Sequence, residues 1–385
     1  MNKFHALFFF ITLYWLVACD KQEIMPVVYP TTTNVVLPTV EVLPTSTEPL
    51  PTSTIAPTMT AIQSEPVITI SKIHEWKASH PIAWFNHSEQ FVILLKSSLD
   101  VYDSSMNLIW SVPVDRNELD SAIAVSLDDK IIALYDNWLN GVILFDSLTG
   151  KNLGKSGRDN CMVQVHTSDM LFAQNNRLII GFDGEWKRDN WPIRISAWDT
   201  SPLACFREQI EIPAQEGQPS SIYAMKKSSS GKYFVAISIH NYRNEYRGII
   251  RAWDAENLNM VCETPGIYAS FSPSDDSLVV MEKGGDTLSY FDVEKCSMSR
   301  TISLPTYPDE QEMEFTPDGK YLVLLRHGFQ IIDAENGNLV LDDKSNIFGG
   351  FGVLRISPSG KYLLSHHADN GPVTALWKID YGQVP

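Results

Sequence analysis

From residue 67 onward the chain alternates apolar and polar residues in short runs and shows little of the three-to-four spacing of an amphipathic helix. The stretch Phe315–Asp333, FTPDGKYLVLLRHGFQIID, carries the pattern in its plainest form. One strand ends at Phe315, Pro317-Asp318-Gly319 turns the chain, Tyr321–Leu325 runs back, and a third strand closes on Ile332-Asp333. Proline presets one turn position, Asp favours the turn, and Gly accepts a positive φ without a Cβ clash. The flanking runs are β-branched or apolar enough for buried strands.

The unit recurs. Ser357-Pro358-Ser359-Gly360-Lys361-Tyr362 repeats the turn ahead of Trp377, and Ser272-Pro273-Ser274-Asp275-Asp276-Ser277 repeats it ahead of Phe291-Asp292. Ser228-Ser229-Ser230-Gly231-Lys232-Tyr233 precedes Trp253-Asp254, and Ser126-Leu127-Asp128-Asp129-Lys130-Ile131 precedes Phe145-Asp146. Weaker copies stand at Asn86–Phe91 before Tyr102-Asp103, and at Gln174–Leu178 before Trp198-Asp199. The seven copies follow one another at roughly 40–55 residues, the range of propeller blades. The pattern predicts an all-β, seven-bladed β-propeller with four-stranded blades at 77–114, 115–157, 158–213, 214–265, 266–305, 306–343 and 344–385. Val67–Ile73 is a lone strand before the first repeat, and the last repeat stops soon after its third strand, Val373–Trp377. The N-terminal strand is therefore expected to complete the last blade, because closure removes exposed sheet edges.

Ahead of the propeller, Lys3 and an apolar run from Ala6 to Val17 read as an export signal. The run falls short of the about 20 apolar residues that span a bilayer. It ends in Leu16-Val17-Ala18-Cys19, which resembles the lipobox of bacterial lipoproteins. That resemblance implies cleavage of a 1–18 signal peptide and diacylation of Cys19. Residues 20–66 are rich in Pro, Thr, Val and Glu, with Leu-Pro-Thr at 37–39, 43–45 and 50–52. Each proline lacks a donor and holds its predecessor extended, so a disordered, polyproline-biased tether reaching ~100 Å is expected over 19–66. The expected location is the bacterial cell envelope, outside the cytoplasm and lipid-anchored to a membrane.

Residues 67–385 resemble the WD40 and quinoprotein-like propeller group. The resemblance rests on Trp198-Asp199, Trp253-Asp254, Phe291-Asp292 and the SPxGKY-type turns, with Phe145–Lys151 similar to the third-strand end of quinoprotein-type repeats. The Gly-His pair usual in WD40 blades is missing, and with it any ground for expecting that family's buried hydrogen-bond network. Propellers host enzymes, scaffolds and receptors alike.

A formal charge of −16 argues against nucleic acid as a partner and against docking of the domain on anionic lipid. No G-x-S-x-G, H-E-x-x-H, EF-hand loop, Walker A or C-x-x-C motif occurs, so neither catalysis nor a metal or other cofactor is expected. His366 and His367 are adjacent and point to opposite faces of a strand, which rules out a shared metal. Asp309, Glu310, Glu312 and Glu314 are expected in a solvated loop. The inner strands at 82–85, 122–125, 267–271 and 353–356 give the central channel a mostly apolar lining. Cys161, Cys205, Cys262 and Cys296 are expected as unpaired, partly buried thiols, since the outer strands carrying Cys205 and Cys262 fan apart.

Blades three and four carry about six surplus residues between their second and third strands. Trp186, Arg188 and Trp191 lie in one of these loops, and Tyr242, Arg243, Tyr246 and Arg247 in the other. Exposed Trp, Tyr and Arg are enriched at binding hot spots, and these loops should emerge side by side on one face. The expected function is a membrane-tethered binding or scaffold protein that recognises a protein or glycan there. The alternative is a propeller enzyme of lactonase or hydrolase type using the central channel.

Overall fold

The computed structural model describes residues 68–77, 81–114, 121–136, 141–156, 167–182, 193–212, 221–242, 245–273, 277–304, 312–325, 328–343, 353–367 and 373–382. The lipobox, Cys19 and the tether lie outside these residues.

Strand β1 (Ile68–Trp76) precedes seven repeats. Blade one holds β2 (Ile82–Trp84), β3 (Gln90–Leu94), β4 (Ser98–Asp103) and β5 (Leu108–Pro113). Blade two holds β6 (Ser121–Val125), β7 (Ile131–Asp136), β8 (Gly141–Asp146) and β9 (Asn152–Lys155). Blade three holds β10 (Thr167–Ala173), β11 (Arg177–Phe182), β12 (Ile193–Thr200) and β13 (Leu203–Ile212), and blade four β14 (Ile222–Lys227), β15 (Tyr233–Tyr242), β16 (Glu245–Asp254) and β17 (Met260–Pro265). Blade five holds β18 (Tyr268–Phe271), β19 (Leu278–Met281), β20 (Thr287–Asp292) and β21 (Ser297–Ser303). Blade six holds β22 (Glu312–Phe315), β23 (Tyr321–Leu325), β24 (Phe329–Asp333) and β25 (Leu339–Asp343). Blade seven joins β26 (Val353–Ile356), β27 (Tyr362–His367) and β28 (Val373–Tyr381) to β1 in the order β1-β28-β27-β26. Every blade is a four-stranded antiparallel meander and falls within the interval read from the repeats. The ring closes as the sequence predicts, β1 pairing antiparallel with β28 from Ile68↔Tyr381 to Trp76↔Thr374.

The cores are the apolar faces of neighbouring blades pressed together. Second and third strands are buried on both faces, as in Tyr321–Leu325 and Arg177–Phe182, which explains their near-continuous apolar runs. Trp198, Trp253 and Trp377 are fully buried between blades. Trp377 donates from its indole N–H to Ser365 Oγ at 2.9 Å, and Trp198 to Ser196 Oγ at 3.0 Å. Two blades thus satisfy a buried tryptophan with one serine, without the His of the WD40 pattern.

The repeated turn has a physical cause. Ser126, Ser228, Thr316 and Ser357 are each at most 2% exposed. Each hydroxyl oxygen accepts the N–H of the residue five positions on: Ile131 at 2.9 Å, Tyr233 at 3.0 Å, Tyr321 at 3.0 Å and Tyr362 at 3.1 Å. In blades one, two, four and six the Asp after the third strand's aromatic or apolar residue caps the next turn. Asp103, Asp146, Asp254 and Asp333 accept from the N–H of Ser105 (2.9 Å), Thr149 (2.8 Å), Glu256 (2.9 Å) and Glu335 (2.9 Å). The Trp253-Asp254 pair is thus a buried indole followed by a turn cap.

The cysteines depart from expectation. Cys262 on β17 and Cys296 in the turn before β21 form a disulfide between blades four and five, with Cα atoms 5.0 Å apart. Cys205 is disulfide-bonded as well. Outer strands do fan apart, but the third-to-fourth-strand turn of blade five reaches back to the outer strand of blade four, placing Cys296 within bridging distance.

Candidate functional site

The inner strands β2, β6, β10, β14, β18, β22 and β26 surround the axis, and each one's neighbours in the ring are the inner strands of adjacent blades. Bonds between non-adjacent blades therefore cross the channel. Lys226 on β14 reaches Glu312 Oε1 at 2.6 Å and Glu314 Oε2 at 3.2 Å on β22. Arg355 Nη2 on β26 lies 3.6 Å from Asp169 Oδ2 on β10. Lys227 Nζ donates to Asn86 Oδ1 in blade one at 2.7 Å. Asn86 in turn donates from its backbone N–H to Asp129 Oδ1 of blade two at 2.6 Å.

These charges add to one expectation and correct another. The lining is largely apolar, as expected, but the inner strands of blades three, four and six also carry Asp169, Lys226, Glu312 and Glu314. Glu312 and Glu314 stand on β22 inside the channel rather than in a solvated loop. The repeat itself held the signal. Lys226, Glu314 and Arg355 each sit two residues before the buried Ser or Thr of their turn, the position that faces the axis.

Burial drives the Glu312 carboxyl above its ordinary range, against the pull of Lys226 and Arg355. Burial also opposes the charge of Arg355, but Asp169, Glu312 and Glu314 outweigh it and raise its pKa. Burial pushes the Lys227 ammonium down to about 8, with Asp129 opposing the shift. The carboxylate oxygens of Asp169 and Glu314 are occupied. Asp169 accepts the N–H of Met170 at 2.8 Å and of Met225 at 2.9 Å, and Glu314 Oε1 accepts that of Ile356 at 3.2 Å. Among the described residues no three His, Cys, Asp or Glu side chains converge as metal ligands. His366 is half-buried, its Nδ1 3.1 Å from the Val373 carbonyl oxygen.

The channel widens into a cavity of about 550 Å³ at the face formed by the first-to-second-strand turns. Its wall includes Trp84, Phe85, Leu127, Phe172, Met225 and Phe315 beside Asp169, Lys226, Lys227, Glu314 and Arg355. Trp84 is itself fixed by donating to the Arg355 carbonyl at 2.9 Å.

The opposite face bears the second-to-third-strand connections. Trp186, Arg188 and Trp191 lie outside the described residues, as does Arg243. Tyr242, Tyr246 and Arg247 are not in a loop. Strands β15 and β16 run to Tyr242 and Glu245, pairing Tyr242↔Glu245, Asn241↔Tyr246 and His240↔Arg247. Inner strand β14 reaches only Ser238 on β15, and outer strand β17 only Ile249 on β16. Residues 239–242 and 245–248 thus pair with one another as a two-stranded arm. Tyrosines favour this extended backbone. The arm's base is tightly seated: a Cβ on Gly248 would lie 2.0 Å from the Gly266 carbonyl oxygen, and Gly266 donates its N–H to the Gly248 carbonyl at 3.1 Å.

No family model and no curated protein matches the chain. Among solved structures, it is similar to the β-propeller domain of Cps50 (Swd1) from Myceliophteria thermophila, with a TM-score of 0.56 and 11% identity over 80% of this chain and 99% of that one. At that identity the likeness speaks for the fold alone, and with the blade topology it establishes the chain as a seven-bladed β-propeller of WD40-like fold.

Proposed function

We propose that the protein is a lipid-anchored binding module of the bacterial cell envelope that recognises a protein or glycan through the propeller face bearing the blade-four arm. The arm carries this reading. Its strands extend four residues beyond the neighbouring strands of their own sheet, about 13 Å of ribbon at the usual strand rise. A two-stranded ribbon is marginally stable by itself, so one kept at this length is suited to meeting a partner. It stands in the blade next to the one carrying Trp186, Arg188 and Trp191, and adds Tyr242, Arg243, Tyr246 and Arg247. Tyrosine and tryptophan provide rigid contact area, and arginine provides planar donors for carboxylates or sugar hydroxyls. The disulfide between blades four and five fits an oxidising compartment outside the cytoplasm, in accord with the lipobox at Cys19.

The test is capture of the crosslinked partner from intact cells, followed by titration with the Trp191→Ala and Tyr246→Ala proteins. Truncating a true anchor costs about 2 kcal/mol of binding or more, roughly thirtyfold, at unchanged melting temperature. If both variants bind like the parent, recognition does not run through this face.

A further inference from the structure

The axial cavity on the opposite face has an unequal stock of hydrogen-bond capacity. Its carboxylates are occupied by the protein: both Asp169 oxygens accept backbone N–H groups, and the Glu314 oxygens take Ile356 N and Lys226 Nζ. The orphaned Oε2 of the buried Glu312 belongs to a residue two positions back along β22 that is not on the cavity wall.

The cations are in a different position. Arg355 presents five N–H donors. Among the described residues it makes one hydrogen bond, from Nη1 to the Leu354 carbonyl at 2.9 Å, and its contact with Asp169 is a longer 3.6 Å. Lys227 has three donors and spends one, on Asn86. Neither side chain's remaining donors are sealed away as buried, unpartnered atoms, and both residues line the cavity. The remaining wall is largely apolar and aromatic. A cavity of about 550 Å³ lies within the usual range of small-molecule sites.

We propose that this cavity binds a small organic carboxylate, its head meeting the unspent donors of Arg355 and Lys227 and its apolar body lying against Trp84, Phe172 and Phe315. Such a ligand supplies acceptors where the wall lacks them. A cationic ligand would find the carboxylates already taken. The site is independent of membrane anchoring and of recognition by the arm face, so either reading can fail without the other. The same chemistry could come from a free metabolite or from the C-terminal carboxylate of a polypeptide, and the probes separate these sources.

The experiment measures binding to the intact mature protein by calorimetry and ligand-observed NMR. The probes are 3-phenylpropionate, its amide, and an acetylated Ala-Ala-Phe peptide with free or amidated C-terminus. Binding of 3-phenylpropionate in the millimolar range or tighter is expected, with none for its amide. The free-acid peptide then reports whether a chain terminus also enters. Arg355→Lys and Lys227→Gln should each weaken the carboxylate roughly tenfold or more, whereas Lys232→Gln, at an exposed site paired with Glu294, should not. Lys227→Gln stands at the channel mouth and serves as the decisive variant if Arg355→Lys disturbs folding. Equal binding of acid and amide, no binding of either carboxylate, or unchanged affinity in the Lys227 variant would overturn the proposal.

Discussion

At the scale of single residues, the propeller is held by polar groups that the repeat hides in plain sight. The SPxGKY-type turn reads in sequence as Pro and Gly punctuation, yet its first residue does most of the holding. The Thr316 hydroxyl donates to Asp318 at 2.6 Å and accepts the Tyr321 N–H at 3.0 Å, 2% exposed to solvent. Thr316→Ala leaves that N–H short of its side-chain acceptor and should cost about 1–3 kcal/mol in urea unfolding, while Thr316→Ser should be close to neutral. Equal stability of the alanine and parent proteins would mean that the backbone pairing of Thr316 with Tyr321 suffices. Lys227 makes a pH prediction. Its folded pKa of about 8 lies below the unfolded lysine value of 10.5, so the unfolded state binds more protons between the two. Stability contributed by this group should therefore rise with pH across that window, and Lys227→Met should flatten the rise in melting temperature. An identical slope in both proteins would contradict the lowered pKa of Lys227.

At the scale of elements, strands and blade limits were legible because period-two patterning and turn chemistry agree in most repeats. The arm was legible only as surplus length. Asn241, Tyr242 and Tyr246 carry no apolar alternation, so nothing distinguished a paired ribbon from an open loop. The disulfide was not legible either, because Cys262 and Cys296 lie on different blades and become neighbours only once a turn folds back over the next sheet. The 34-residue separation predicts that replacing both cysteines with Ser costs about 2–4 kcal/mol through the entropy restored to the unfolded chain. Calorimetric melting of the Cys262→Ser, Cys296→Ser double variant checks this, and a melt unchanged by the substitutions would exclude a closed bridge in the native protein.

At the scale of the whole molecule, closure by β1 is the feature on which the others depend. Ile68 is buried in the core shared by blades six and seven, and Trp76 packs edge-on against Phe91 of blade one at 6.0 Å. Removing residues 1–77 would strip β28 of its partner and uncover both surfaces. That protein should aggregate, or melt well below one beginning at residue 66; equal monomeric melts would show that the ring closes without β1. The channel charges belong to this scale too. A single inner strand such as Val353–Ile356 reads as apolar with one stray Arg, and only the ring brings Asp169 of blade three to Arg355 of blade seven.

The proposal that one face recognises a partner is tested most directly by photocrosslinking in intact cells. A benzoylphenylalanine is placed at Trp186, in the connection between β11 and β12, or at Tyr246 in the blade-four arm, and at Leu153 or Met298 on the outer rim, where the side chains are 50% and 57% exposed. The account predicts one adduct of constant mass from Trp186 and Tyr246 and none from the rim. Adducts of equal yield from the rim, or none from Trp186 and Tyr246, would contradict it.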